Sequence, residues 1–426
     1  MDAPATAFVK ASRLRAEIRR HPWVYGNSIE RIEGSYTNGD AVVVRAPDGK
    51  FLAHAFVNDR SRLALRLVSF LRAEAPTDEL LRRRVEDAVR LRHEVLRLPE
   101  RATAYRVIHS EGDGLPGLIV DRYGDVLTVS CSALGTHRRL GPILDALEAT
   151  LRPTAILGLE LGEGLRDVEG LPPGGGVLRG TAPAEDPIVT IDGLSFCAPI
   201  AGGQKTALFL DQRENVRRVA ELARGRRVLD ACCYVGTFGI AAAKGGAARV
   251  EAFDASAEAV EQAKHNAERN GVALEVTRAS LYPELRRRVD QKERFDLVVL
   301  DPPKFAKAQK DRDAARKGYL DANQLAMRLL APGGLLLTCS CSHHMGEEEL
   351  EGVLREAAIR AGADLRVLER RGAGPDHPSD VQCPEGRYLK AILVERRGPL
   401  LPPEPPFDAP KAPGTPADAT ADEEPA

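Results

Sequence analysis

Apolar and polar positions alternate with a period near two through much of residues 8–72. SIERIEG, NGDAVVVRAPDGKFLAHAFVN and LALRLVSF read as short strands, with the NG and PDG steps supplying the turns. A small β-barrel-like unit is the economical packing for them. The period then lengthens. TDELLRRRVEDAVRLRHEVLRL, residues 77–98, predicts a helix with Thr77 as its cap and Leu80, Leu81, Val85, Val89 and Leu91 as its buried stripe. YRVIHS, GLIVDRY, DVLTVSCS and AILGLE are expected strands around a helix near 137–149, a small α/β unit ending near residue 197. From about 205 the apolar runs RRVLDACC, RVEAFDAS, LEVTRAS, RFDLVVLDPP and GGLLLTCSCS are separated by helical stretches. That alternation predicts a mostly parallel sheet covered on both faces, with ligands bound outside the carboxyl ends of its strands. DLRVLER and YLKAILVER are the last expected strands, joined by the loop DHPSDVQCPEG.

At 426 residues the chain exceeds what one core usually supports, and 43% hydrophobic residues supply material for two or three. The expected division is 8–75, 76–200 and 201–397, followed by a tail, 398–426, whose prolines and acids cannot bury enough surface to order it. The formal charge of −2 is uneven, because the tail holds six acids and one lysine and leaves the rest weakly cationic. Arg13, Arg15, Arg19 and Arg20, and again Arg82, Arg83 and Arg84, are clusters that can meet phosphates or simply face water. No run of roughly 20 apolar residues and no leader-like start is present, so a cytoplasmic protein without a membrane anchor is expected. Seven scattered cysteines fit a reducing compartment better than a disulfide scaffold.

Candidate chemistry begins at the strand end VLD. Asp230 leads into ACCYVGTFG, where Gly236 and Gly239 permit a tight turn and a close helix approach. A dinucleotide fingerprint needs G-x-G-x-x-G to hold a pyrophosphate, and its first glycine position here is Tyr234. The next strand ends at Asp254, where a carboxylate can accept from both hydroxyls of a ribose. That position points to an adenosine-like ligand without choosing the cofactor. S-adenosylmethionine, with a ribose, a sulfonium and no phosphate, matches the acid-flanked loop. Asp230 has a second reading as a cap of the turn that follows it.

VVLDPPKF ends a strand in a stiff loop, because Pro302 and Pro303 restrict their own φ and the residue before each. Asp301 is thereby fixed where a carboxylate can meet the amine or ring nitrogen of a planar base. The following strand ends TCSCSHH, bringing Cys339, Cys341, His343 and His344 to the same region. Three readings remain open there: a zinc site, for which four ligands at closed spacing are missing; core cysteines, the simpler reading for Cys339; and a nucleophile at Cys341. Carbon 5 of a pyrimidine attacks a methyl sulfonium only after a thiolate has added to carbon 6, which gives a cysteine beside such a cofactor a purpose.

HPWVYGNSI, EGDGLPGLIVDRYGD, GQKTALFLDQREN, VLDACCYVGTFG, FDLVVLDPPKF, KGYLDAN, LLTCSCS and DHPSDVQCPEGRYLK together resemble the bacterial 23S rRNA cytosine-5 methyltransferases that carry an N-terminal PUA domain. The resemblance spans roughly residues 8–396. It implies a PUA domain, a middle α/β domain that helps hold RNA, and a C-terminal Rossmann-like class I S-adenosylmethionine-dependent domain. On this chain it makes Cys341 the nucleophile, Asp301 the acid at the base, Asp254 the ribose contact, and Asp230, Tyr234 and Gly236 the cofactor loop. Lys205, Thr206, Phe209, Asp211, Gln212 and Arg213 match a stretch that closes around the active site. Ser280 stands where the family often has an aspartate near the adenine amine. No second cysteine follows Pro302, so His343 or a water is left to take the carbon 5 proton. The implied partner is 23S rRNA, before or during large-subunit assembly, and a homodimer is compatible with the resemblance. Two competing functions are a purine-nitrogen rRNA methyltransferase, which needs no thiol adduct, and a non-catalytic RNA-binding assembly factor.

Overall fold

The computed structural model describes residues 4–13, 20–200, 207–305, 312–342 and 345–402. Most of the expected tail, from residue 403 on, lies outside them, as do Arg15 and Arg19 of the first arginine cluster. The alternating N-terminal segments form one six-stranded sheet in which Thr6–Val9 is antiparallel to Ile29–Glu33 and parallel to Ala41–Arg45. Val42 and Val44 point inward with Ala53, Ala55 and Leu65, and the NG and PDG turns place Gly39 and Gly49 at positive φ.

Thr77 caps the helix Asp78–Arg90 by accepting from Leu80 N at 3.3 Å. Leu80, Leu81, Val85 and Val89 are buried, but Leu91 is only half-buried. The helical period that runs through Leu81, Val85 and Ala88 arrives at Arg92, so the guanidinium takes the interior place. Arg92 is fully buried and donates to both carboxylate oxygens of Asp113, at 2.6 and 2.8 Å. This helix and Leu140–Leu151 cover a five-stranded sheet running from Ala104–His109 at one edge to Gly176–Gly180 at the other. The first sheet is fastened to this unit through Glu169, which is buried and accepts from Asn58 Nδ2, Ser61 Oγ and Arg66 at 3.1, 2.7 and 3.2 Å.

The C-terminal sheet has seven strands in the order Glu275–Arg278, Arg249–Asp254, Arg227–Ala231, Phe295–Leu300, Leu330–Ser340, Lys390–Arg397 and Asp364–Arg371. The first five run parallel, and Lys390–Arg397 is antiparallel to both neighbours. Alternate residues feed two cores. Leu229, Val298, Leu300 and Leu336 face one layer of helices, while Val228, Leu297, Val299, Leu337 and Cys339 face the other. Strand order reverses between Arg227–Ala231 and Phe295–Leu300, which opens a crevice at their carboxyl ends.

Candidate active site

Each strand that ends at this crevice contributes a different kind of group. After Ala231 the chain turns through Cys232 and Tyr234, both at positive φ, and enters the helix Thr237–Lys244. Gly236, at φ +84°, is required there, since a Cβ would meet the side chains of Ala263 and Ile240 at 3.1 and 3.3 Å. Asp230 lies beneath this turn. It is buried, and its Oδ2 accepts from Gly239 N at 2.8 Å. Burial, with Asp301 and Asp254 adding repulsion, pushes its carboxyl up to about 7. Asp230 and Gly236 therefore shape the loop from below and do not line the crevice.

Asp254 is at the crevice wall. Its Oδ2 accepts from Tyr234 N and its Oδ1 from Ser256 N, each at 2.9 Å, so the carboxylate is held in one orientation with lone pairs to spare. Ala279, Leu281 and Tyr282 continue the wall as an apolar face. Ser280 does not join them: it stands at the N-cap position of the helix Leu281–Asp290, makes no side-chain cap hydrogen bond, and is exposed. Successive side chains along a helix are turned about 100° from one another, so Leu281 takes the inward place while Ser280 stays outside.

Asp301 follows Leu300 at the bottom of the crevice and accepts from Gln212 Nε2 at 2.9 Å. Burial first, and Asp211 second, push it up to about 7, with the Gln212 bond acting in the opposite direction. Gln212 is itself held, because its Oε1 accepts from Asn215 Nδ2 at 2.6 Å. Cys341 lies one residue past Leu330–Ser340 and lines the same crevice, whereas Cys339 is wholly buried in the sheet core. Burial and the neighbouring Asp301 raise the Cys341 thiol above its ordinary value, and Lys304 acts against them. Lys390 backs this turn, donating from Nζ to Ser342 O at 2.6 Å and Tyr388 O at 2.7 Å; burial lowers its ammonium to about 8.

The crevice has a volume of about 530 Å³. Phe209, Asp211, Gln212, Tyr234, Asp254, Asp301 and Cys341, all singled out from the sequence, line it. Phe209 packs edge-on against Tyr234, with ring centroids 5.1 Å apart. Arg213 instead turns away and forms a buried two-bond pair with Asp376, both bonds at 3.0 Å. Lys205, Thr206, His343 and His344 lie outside the described residues. Sequence reasoning passed over Arg106, Tyr282, Lys304, His377 and Tyr388, which also line the crevice. Only Lys304 carried a local signal, its place directly after Pro302–Pro303.

The donor set fits S-adenosylmethionine. Asp254 supplies a ribose acceptor, Ala279, Leu281 and Tyr282 an apolar face for a purine, and Asp211 a carboxylate for a sulfonium or an ammonium. Asp211 Oδ1 is buried without a hydrogen-bond partner in the described structure, an acceptor left for a bound donor, while its Oδ2 accepts from Tyr388 Oη at 2.7 Å. The basic residues of the wall, Arg106 and Lys304, do not form a phosphate cradle: Arg106 already donates to both oxygens of Asp121, at 2.7 and 2.8 Å.

Comparison with known proteins agrees with this chemistry. The family model for S-adenosylmethionine-dependent methyltransferases matches residues 177–395, and one for a PUA-like domain matches residues 8–70. The protein named ribosomal RNA large subunit methyltransferase I of Aeromonas salmonicida is 37% identical over 393 residues, covering 92% of this chain and 99% of its own length. Its namesake in Vibrio cholerae is 37% identical over 397 residues, with 92% and 99% covered. Among solved structures, SMU.776 complexed with SAH superposes with a TM-score of 0.79 at 17% identity, over 92% of this chain and 99% of that one. A SAM-dependent methyltransferase from Streptococcus mutans gives 0.77 at 17% identity, again over 92% and 99%. At that identity the two structures show a shared fold.

Proposed function

This chain belongs to the S-adenosylmethionine-dependent methyltransferase family and carries a PUA-like domain ahead of its catalytic sheet, and on that premise we propose that it methylates carbon 5 of a cytosine in 23S rRNA through a covalent adduct on Cys341. The substrate class follows the names of its relatives, ribosomal RNA large subunit methyltransferase I. The observation that carries the chemistry is that Cys341 and Asp301 line one crevice with Asp254 and Tyr234. Methylation of a purine nitrogen gives a thiol at that place nothing to do.

When bound, S-adenosylmethionine supplies an electrophilic methyl group on a cationic sulfur. Cys341 adds as the thiolate to carbon 6 of the ring, and Lys304 is the cation nearby that favours that form. Addition drives electron density through carbon 5 and carbon 4 onto N3. Asp301, with a carboxyl poised at about 7, can donate a proton to N3 while its other oxygen accepts from the exocyclic amine. Uracil presents a carbonyl and a protonated N3 instead, so the same carboxyl selects cytosine. Carbon 5, now part of an enamine, accepts the methyl group; a base then removes its proton and the thiolate leaves. The PUA-like and middle domains position the RNA through its backbone, in the cytoplasm where the transcript is made. Incubation with cofactor and rRNA containing 5-fluorocytosine, whose carbon 5 carries no removable proton, should trap a covalent complex that Cys341→Ala abolishes. A complex that survives in C341A would remove the cysteine from the mechanism.

A further inference from the structure

Three of the sequence segments quoted above, HPWVYGNSI, EGDGLPG and DHPSDVQCPEG, contribute only His377 to the reaction crevice, yet the fold brings them together. They surround a second cavity of about 310 Å³, with Trp23, His109, Glu111, Asp380 and Glu385 in its wall. Arg106, Lys304 and Tyr388 belong both to this cavity and to the reaction crevice, so the two are neighbours with a common rim. We propose that the second cavity receives the nucleoside next to the target base in the RNA strand, a subsite that rests on the reading of rRNA as substrate.

The wall is built for a fixed occupant. Trp23 Nε1 donates to Glu111 Oε1 at 2.8 Å, and Trp23 N donates to His21 Nδ1 at 3.1 Å. His21 Nε2 in turn donates to Glu385 Oε2 at 3.2 Å. Gly112 lets its segment close on Pro378, since a Cβ there would stand 1.9 Å from Pro378 O. These bonds lock the indole, whose face offers a base a stacking surface. Glu111, Asp380 and Glu385 accept from base amines and ribose hydroxyls but repel phosphate. Lys304, exposed on the common rim, is where the linking phosphate belongs.

A cation is the competing occupant, because donor atoms of His21, Cys383 and Glu385 lie within 4.8 Å of one another. The hydrogen bonds oppose it. His21 Nδ1 accepts an amide proton, so Nε2 carries the ring hydrogen, whereas a ligating imidazole donates from its second nitrogen.

Trp23 is the only tryptophan of the chain, so its emission reports this cavity alone. The test uses full-length protein, S-adenosylhomocysteine for the emission titrations, and 23S rRNA fragments whose modified base is flanked by an intact or an abasic residue, placed on each side in turn. The intact fragment should quench Trp23. An abasic residue on one of the two sides should abolish the quenching and lower kcat/KM for methyl transfer about tenfold, the worth of one stacked base. Ile119→Phe, which fills the cavity from the strand Leu118–Tyr123, should impose a similar loss on intact RNA and make the enzyme indifferent to the abasic residue. Asp380→Asn keeps the bond accepted from Gln382 N at 2.7 Å and should instead weaken discrimination among neighbouring bases, a second reading should the larger side chain disturb folding. An undiminished abasic penalty in both variants, with cofactor affinity intact, overturns the subsite alone. Tight zinc quenching that depends on Cys383, with none by RNA, overturns it in favour of a cation. A wild-type enzyme that transfers no methyl group to any RNA overturns the rRNA reading and the subsite with it.

Discussion

Gln212→Met isolates how the crevice sets the protonation of Asp301. Methionine keeps the unbranched shape of glutamine and removes the donor that reaches Asp301 Oδ2 at 2.9 Å. A hydrogen bond to a charged acceptor is worth about 1.5–3 kcal/mol, and one pH unit corresponds to about 1.36 kcal/mol, so the carboxyl should rise by about one to two pH units. In the wild type Asp301 titrates near 7 and Cys341 above it. In the proposed mechanism the form that reacts, with Asp301 protonated and Cys341 ionised, has lost one proton from the pair. Its population therefore rises through the lower of the two values, and the acid limb of the single-turnover rate belongs near pH 7. In Gln212→Met that limb should move to about pH 8–9, toward the thiol's own range. The assay is single-turnover methyl transfer to saturating RNA between pH 5.5 and 10, with cofactor affinity measured alongside. Asn215 loses one acceptor but still donates to Gly372 O at 3.2 Å, so a loss of about 1–2 kcal/mol in stability is expected and is checked by thermal melting. An acid limb that stays in place, or moves down, with affinity intact would refute the assignment of that limb to Asp301.

Asp254→Ala should weaken S-adenosylmethionine binding by about ten- to a hundredfold in calorimetry, the worth of charge-assisted bonds to a ribose, with the fold retained. Cys339→Ala should cost about 1 kcal/mol in stability by leaving a small void in the sheet core, read as a lower Tm, while turnover persists. Asp230→Asn should stabilise the protein at pH 8. A carboxyl raised in the folded state to about 7 from 3.8 contributes its stability in full below pH 4 and loses it as pH rises through 7. The difference in unfolding free energy between D230N and wild type should therefore grow from pH 4 to pH 8 by an amount on the order of 4 kcal/mol at most, measured by urea melts. A difference independent of pH would show that Asp230 is already ionised.

Much of the catalytic sheet was legible in the chain because the physics that makes it is local. Continuous apolar runs mark strands buried on both faces, and each polar residue that ends a run marks a place where the chain leaves the core. Asp254, Asp301 and Cys341 could be named on that basis, and Pro302–Pro303 told how stiffly Asp301 would be held. Cys339 and Cys341 separated for the same reason: one is the last inward residue of a strand, the other the first beyond it. Side-chain direction at the strand ends was less legible. A single residue of offset decides it, and so Asp230 proved to lie under its loop and Ser280 to face water while Leu281 turned in.

Sequence by itself thus determined the elements, their periods and the chemistry available at each strand end. Tertiary structure decided which of those ends meet. Strand order reverses between Arg227–Ala231 and Phe295–Leu300, and no local pattern encodes that reversal, because it follows from how the whole sheet buries its two faces. The same nonlocal closure brings Arg106 and Tyr388 from distant segments to the crevice and sets Trp23 beside Glu111. It also places Arg92 against Asp113 in the interior while Leu91, which the apolar pattern put in the buried stripe, stays half-buried: a buried charge is stable only with its partner, and the partner is supplied by the fold.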